Sequence, residues 1–156
     1  MPIFATAGSK LFIGPVTDDK SEDFTLADFS GSWTQIKHVE SLGTLGDEAT
    51  EISFTSIGSN RTRRFKGTRN APPMEVVTGI DYSDPGQQAL LAAEKTPHDY
   101  AFKIEFNDAS PGGSPSERYF IAKVGSASEA LDTANNVMKL NASLWVNSNV
   151  VRVNAS

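Results

Sequence analysis

The stretch SDPGQQALLAAEK, Ser83–Lys95, is the part of this chain that reads as a substantial helix. Asp84 is a good N-cap, because its carboxylate accepts from the free amides of a first turn. Pro85 suits the next position, where a missing N–H costs nothing. Gln87 to Lys95 are strong helix formers, Lys95 suits the negative end of the helix dipole, and Pro97 stops the element. The prediction is one helix of about ten residues.

Strands flank it. MEVVTGIDY, Met74–Tyr82, has Val76 and Val77 at its centre, and YAFKIEF, Tyr100–Phe106, puts Tyr100, Phe102, Ile104 and Phe106 on one face. A lone helix between strands, in a chain otherwise rich in strand signals, predicts a mainly β, α+β fold. The expected form is an antiparallel β-sandwich or partly open barrel with one flanking helix, rather than an alternating α/β fold.

Upstream, TEISFTSIG, Thr50–Gly58, alternates so that Ile52 and Phe54 share the expected buried face of a half-buried strand. Gly58-Ser59-Asn60 supplies turn chemistry, RTRRFKG from Arg61 to Gly67 extends again, and the prolines of APP at 71–73 end the run, giving a long hairpin or arm. WTQIKHVESLG, Trp33–Gly43, reads as one strand; Lys10–Ile13 is a further candidate, followed by an exposed loop, GPVTDDKSEDFT, from Gly14. Downstream, NDASPGGSPSE from Asn107 is a hairpin loop and RYFIAKVGSAS from Arg118 a strand. Two final runs follow, separated by Asn147-Ser148-Asn149.

At 156 residues the chain predicts a single domain, 1–156, without cysteine to staple it, so packing, sheet pairing or partner subunits must hold the core. The amino-terminal residues carry neither a charged leader nor a long apolar run, so the expectation is synthesis in the cytoplasm and no membrane insertion. The glycosylation patterns at Asn60, Asn141 and Asn154 then read as chance.

No catalytic constellation emerges. There is no nucleophile elbow and no phosphate loop, and His38 and His98 fall in different segments. His98-Asp99 reads as a surface pair, because sequence neighbours in an extended chain point apart. Asp81 and Asp84 flank Tyr82, but capping accounts for Asp84. The acids Asp18, Asp19, Glu22 and Asp23 lack the spacing of a calcium loop and read as a solvated face. The expectation is no enzyme, no metal and no cofactor.

Five cations, Arg61, Arg63, Arg64, Lys66 and Arg69, crowd one stretch around Phe65 in a chain of formal net charge -5. Phosphate contacts with a stacked base are one reading. The other is a contact between protein subunits, because nucleic-acid binders carry a basic balance over the domain. Here Asp47, Glu48, Glu51 and Glu75 stand nearby as partners for those cations.

The order of WTQIKHVESLG, EISFTSIGSNRTRRFKGTRNAPPMEV, DPGQQALL, YAFKIEF and SLWVNSNVVRV resembles the major tail tube proteins of long-tailed, non-contractile bacteriophages, the group of the lambda tail tube protein. The likeness runs from about Lys10 to Val153. Its most specific pieces are Asp84, Gly86, Gln87, Gln88, Ala89, Leu90 and Leu91 at the helix start, and Arg63, Lys66, Gly67 and Arg69 in the basic tract. The resemblance implies a structural protein of the virion tail, made in the host cytoplasm. Six copies would form a ring, and stacked rings a tube whose lumen passes DNA without specific binding. It further implies a long loop or arm at about 42–74 reaching a neighbouring subunit or ring. Tape measure, tail terminator and tail tip proteins are the implied partners. The chain would be a minimal tube module without the carboxy-terminal immunoglobulin-like domains of many relatives. A tail terminator or head–tail connector of the same fold, and a small β-barrel nucleic-acid binder, are the alternatives.

Overall fold

A computed structural model describes residues 3–18, 20 and 22–155; Asp19 of the acidic stretch and Ser156 of the last glycosylation pattern lie outside them. The strands are β1 (Lys10–Val16), β2 (Thr34–Ile36), β3 (Val39–Ser41), β4 (Glu48–Thr55), β5 (Thr62–Asn70), β6 (Met74–Gly79), β7 (Tyr100–Glu105), β8 (Glu117–Ala130), β9 (Lys139–Val146) and β10 (Val151–Val153). The helix α1 spans Pro85–Glu94, with Asp84 as its N-cap and Pro85 at its start. A 3-10 turn covers Leu26–Phe29.

One antiparallel sheet runs in the order β2-β1-β7-β8-β9-β6-β3, with β10 beside β8. The 14-residue β8 belongs to two layers. Its first residues pair with β7 and β10; from Ala122 onward it pairs with β9, and the register shifts between Val124 and Ser126. The layers close on a shared core of Leu11, Ile13, Phe102, Ile104 and Phe120 from one side and Val76, Leu140, Ala142, Leu144 and Val146 from the other, joined by Leu90 and Ala93 of α1. The mainly β fold with a flanking helix is therefore the one the chain adopts, and its sheet is open.

Trp33–Gly43 is not one strand. It is two, β2 and β3, at opposite ends of the sheet order, linked by Lys37 and His38. His38 sits at φ 62, and this left-handed residue lets the chain swing from one layer to the other. The helix start spans the seam. Asp84 Oδ2 accepts from the Gln87 amide at 3.2 Å and from the Lys37 amide at 3.0 Å. Gln87, fully buried, donates to the carbonyls of Lys37 (3.1 Å) and Gly79 (2.8 Å) and accepts from the Asp81 amide (3.0 Å). A Cβ on Gly86 would stand 2.1 Å from the Gln35 carbonyl oxygen, so only glycine lets the helix approach this closely.

The loop expected from Gly14 begins later, because Gly14–Val16 belong to β1. The following segment returns to the sheet's outer face, where Phe24 and Phe29 pack with Ala101, Tyr119 and Ile121 against Trp33, Val151 and Val153. YAFKIEF is consequently covered on both faces. Asn149 fastens this flap, accepting from the Phe24 amide at 2.7 Å and donating to its carbonyl at 3.1 Å. His98-Asp99 is not a plain surface pair: Asp99 is buried and accepts from Lys123 and from Asn147, each at 3.0 Å, while His98 is exposed.

Candidate assembly arm

β4 and β5 form their own two-stranded sheet, separate from the main one. The pairs Glu51↔Lys66, Ile52↔Phe65, Ser53↔Arg64, Phe54↔Arg63 and Thr55↔Thr62 fix its register. Directly opposed residues share a face, so one face carries Ile52, Phe54, Phe65 and Arg63, and the other Glu51, Ser53, Thr55, Thr62, Arg64 and Lys66. Gly67 makes room on the first face, where a Cβ would meet the Ile52 side chain at 3.0 Å.

The alternation in the sequence is thus real, but the burial expected of it is absent. Ile52 is 50% exposed, Phe54 60% and Phe65 55%, and Ile57 at the tip is fully exposed. A two-stranded hairpin has no second layer, so its apolar face has no cover among the described residues. Three large side chains thus share one exposed face of the arm.

The polar side is knit by weak, solvent-screened ion pairs: Arg64 Nε lies 3.3 Å from Glu51 Oε1, and at the root Arg69 Nε lies 3.7 Å from Asp47 Oδ2. Among the described residues Arg61, Arg63, Lys66 and Glu48 make no ion pair. Glu48 stands opposite Asn70 at the hairpin's base, and Glu75 turns to β9, accepting from Ser143 Oγ at 3.1 Å. The root opens on a polar cleft of about 900 Å³ where Asp47, Arg69 and Asn70 face Asn147, Ser148, Asn149 and Arg152. Sequence reasoning found the cations and acids of this arm but missed that Ile52 and Phe54 belong to its exposed surface. The available signal was the isolation of this hairpin between turn residues and two prolines.

No family model matches the chain, and no curated protein matches it. Solved structures do. A chain of the SPP1 tail tube structure aligns at TM-score 0.65 and 16% identity, over 98% of this chain and 80% of that one. A chain of the six-fold symmetrised baseplate of the anti-feeding prophage aligns at TM-score 0.68 and 12% identity, over 99% and 98%. The chain has the tail tube fold. An Hcp protein shares it at TM-score 0.51 and 8% identity, over 94% of this chain and 98% of that one. At such identities the likeness rests on backbone and topology, and the tail tube fold expected from the order of the motifs is the fold of this chain.

Proposed function

We propose that this protein is a structural subunit of a phage tail tube, self-assembling into hexameric rings that stack into the conduit for DNA ejection. The observation that carries the reading is the match of nearly the whole chain to a tail tube subunit, together with an arm whose apolar face is left uncovered by the described residues. Ring formation supplies that cover. In this reading the arm, with Ile52, Phe54, Arg61, Arg63, Arg64, Phe65, Lys66 and Arg69, lies against a neighbouring copy, and Asp47, Glu48 and Glu51 contribute to the same contact. The protein belongs to the virion tail and is made in the host cytoplasm. Its tube meets a tape measure protein, a tail terminator and tail tip proteins, and DNA passes without specific binding. Likeness to a baseplate chain also supports a second reading, a component of the tube's end rather than its length.

Electron microscopy of the purified protein tests this. Rings or long tubes are expected; short closed rings that never elongate favour the end component. A monomer that shifts labelled DNA at physiological salt would overturn both in favour of a nucleic-acid binder.

A further inference from the structure

The turn between β8 and β9, residues 131–138, carries a second uncovered apolar surface. Leu131, Val137 and Met138 each expose more than half of their area, and Tyr82 nearly half. The Ile80 amide donates to the Met138 carbonyl at 3.1 Å and the Tyr82 hydroxyl bonds to Glu129, so the segment before α1 is held beside this turn. Asn136 closes the turn on itself, its amide donating to the Thr133 carbonyl at 3.0 Å and its side chain to Thr133 Oγ1 at 3.1 Å. These apolar groups are thus presented by a turn that has its shape before any contact is made.

The charge around them is negative. Glu129 and Asp132 are exposed and, among the described residues, make no ion pair. Lys139, where β9 begins, is taken by Glu40 at 2.8 Å, and Lys37 and Lys95 stand at the two ends of α1 rather than on the turn. The arm is the converse, an exposed apolar face accompanied by arginines. The two surfaces also belong to opposite ends of the sandwich. β6 pairs Gly79 with Lys139 and Met74 with Leu144, so the β8–β9 turn lies beyond its Gly79 end, while the arm joins at its Met74 end through Ala71-Pro72-Pro73. Both surfaces are uncovered in the single chain, so neither covers the other there. A patch at one end whose complement is at the other makes a heterologous contact, which passes from copy to copy.

Two other surfaces compete for the arm. At its own end of the sandwich an apolar mouth of about 400 Å³ is lined by Phe4, Leu42 and Leu45, but Arg118 and Arg152 stand in it and repel a cationic arm. The flap carries Asp18, Glu22 and Asp23, but its exposed apolar groups, Val16 and Leu26, stand singly. Resting on the tail tube reading, we infer that the arm of one copy docks on the β8–β9 turn of the next, its apolar face against Leu131, Val137 and Met138, and Arg61 and Arg63 toward Glu129 and Asp132. Burial of the apolar groups holds the contact, and the charges at its rim set partner and orientation.

The absence of native cysteine makes the test direct. Tubes are assembled from equal parts of Thr62→Cys and Asn135→Cys copies, both substitutions being at exposed positions beside the contact, and treated with a short bismaleimide. A heterodimer linked between positions 62 and 135 is expected in tubes and is lost when they are dissociated first. Thr62→Cys copies mixed with Asp23→Cys copies, altered on the flap, are expected to give none. Tubes that couple 62 to 23, or to neither position, overturn the inference and leave the tube reading standing. Where a cysteine variant does not assemble, charge reversal decides. Glu129→Lys with Asp132→Lys, and in a second protein Arg61→Glu with Arg63→Glu, are each expected to stay folded and form no tubes alone. Mixed, they are expected to form tubes, because each arm then finds a turn of opposite charge; a folded mixture that forms none overturns the contact. If the unaltered protein forms neither rings nor tubes in electron micrographs, the tube reading itself fails and the contact with it.

Discussion

Gln87→Leu tests whether the helix start holds the two ends of the open sheet together. Leucine keeps most of the glutamine's volume, but removes the two bonds to the Lys37 and Gly79 carbonyls and the one from the Asp81 amide. A backbone polar group left without a partner in the interior costs about 1–3 kcal/mol, so three groups at partly buried positions lose roughly 3–6 kcal/mol. An apolar side chain in a fully buried slot returns about 2 kcal/mol. The net loss of about 1–4 kcal/mol is a large share of the ~5–15 kcal/mol that holds a domain of this kind. At about 2–4 °C per kcal/mol for this length, Tm falls by roughly 2–15 °C. Thermal and urea unfolding of the dissociated protein, followed by circular dichroism, measures the loss, and hydrogen exchange at the Asp81 amide localises it. A variant that melts within about 1 °C of the parent, with that amide still protected, would refute the clamp.

The double substitution Ile52→Ser with Phe65→Ser removes apolar surface already half in water, so the main melting transition stays in place while tubes disappear from sedimentation and micrographs; tubes of normal length would show that this face is not a contact. Arg63→Glu with Arg64→Glu is expected to stop elongation and leave a folded monomer, and normal polymerisation would exclude the interface role of this segment. Asp84→Ala strips one oxygen from two amides, Gln87 and Lys37, for a loss of about 2 kcal/mol, at the upper end for a helix cap; an unchanged Tm counts against that helix start. In acid, three carboxyls matter: Asp28 is held below its usual range chiefly by the Lys20 bond, Asp81 by Ser83 and Asp108 by Ser116. A depressed folded pKa stabilises fully above the ordinary carboxylate value and ceases to do so as pH falls through the folded one, so stability declines in that acid window. Asp108→Asn should flatten the decline, and a pH–Tm curve with the parent's slope would dispose of that assignment.

How much of this was legible before the fold was known follows from how local each signal is. The helix was, because Asp84, Pro85 and Pro97 act within a few residues of the segment they delimit. The clamp was not: the partners of Gln87 include Lys37, fifty residues upstream, and nothing near Gln87 distinguishes it from the exposed Gln88. Asn149 looked like a spacer between strands for the same reason, although it closes on Phe24 across 125 residues. The break in Trp33–Gly43 escaped because His38, rather than a glycine, takes the left-handed turn. In the arm, period-2 alternation identified which side chains share a face. It carried no information about whether the layer covering that face lies in the same chain.

That last gap bears on how the arm behaves before assembly. The arm from Glu48 to Asn70, with Arg61 in the turn between β4 and β5, carries five cations and two carboxylates, a balance of +3, which leaves -8 on the rest of the chain. Two arms meeting through their apolar faces would also bring two copies of Arg63 together without countercharge, a cost that discourages arm-on-arm pairing. An arm approaching the body of another copy meets the opposite sign. On the proposed assembly the basic cluster therefore selects which protein surface the apolar face reaches. Cations gathered on the arm of an otherwise acidic chain form one distribution of charge, and on the proposed assembly it favours contact between arm and body over contact between arms.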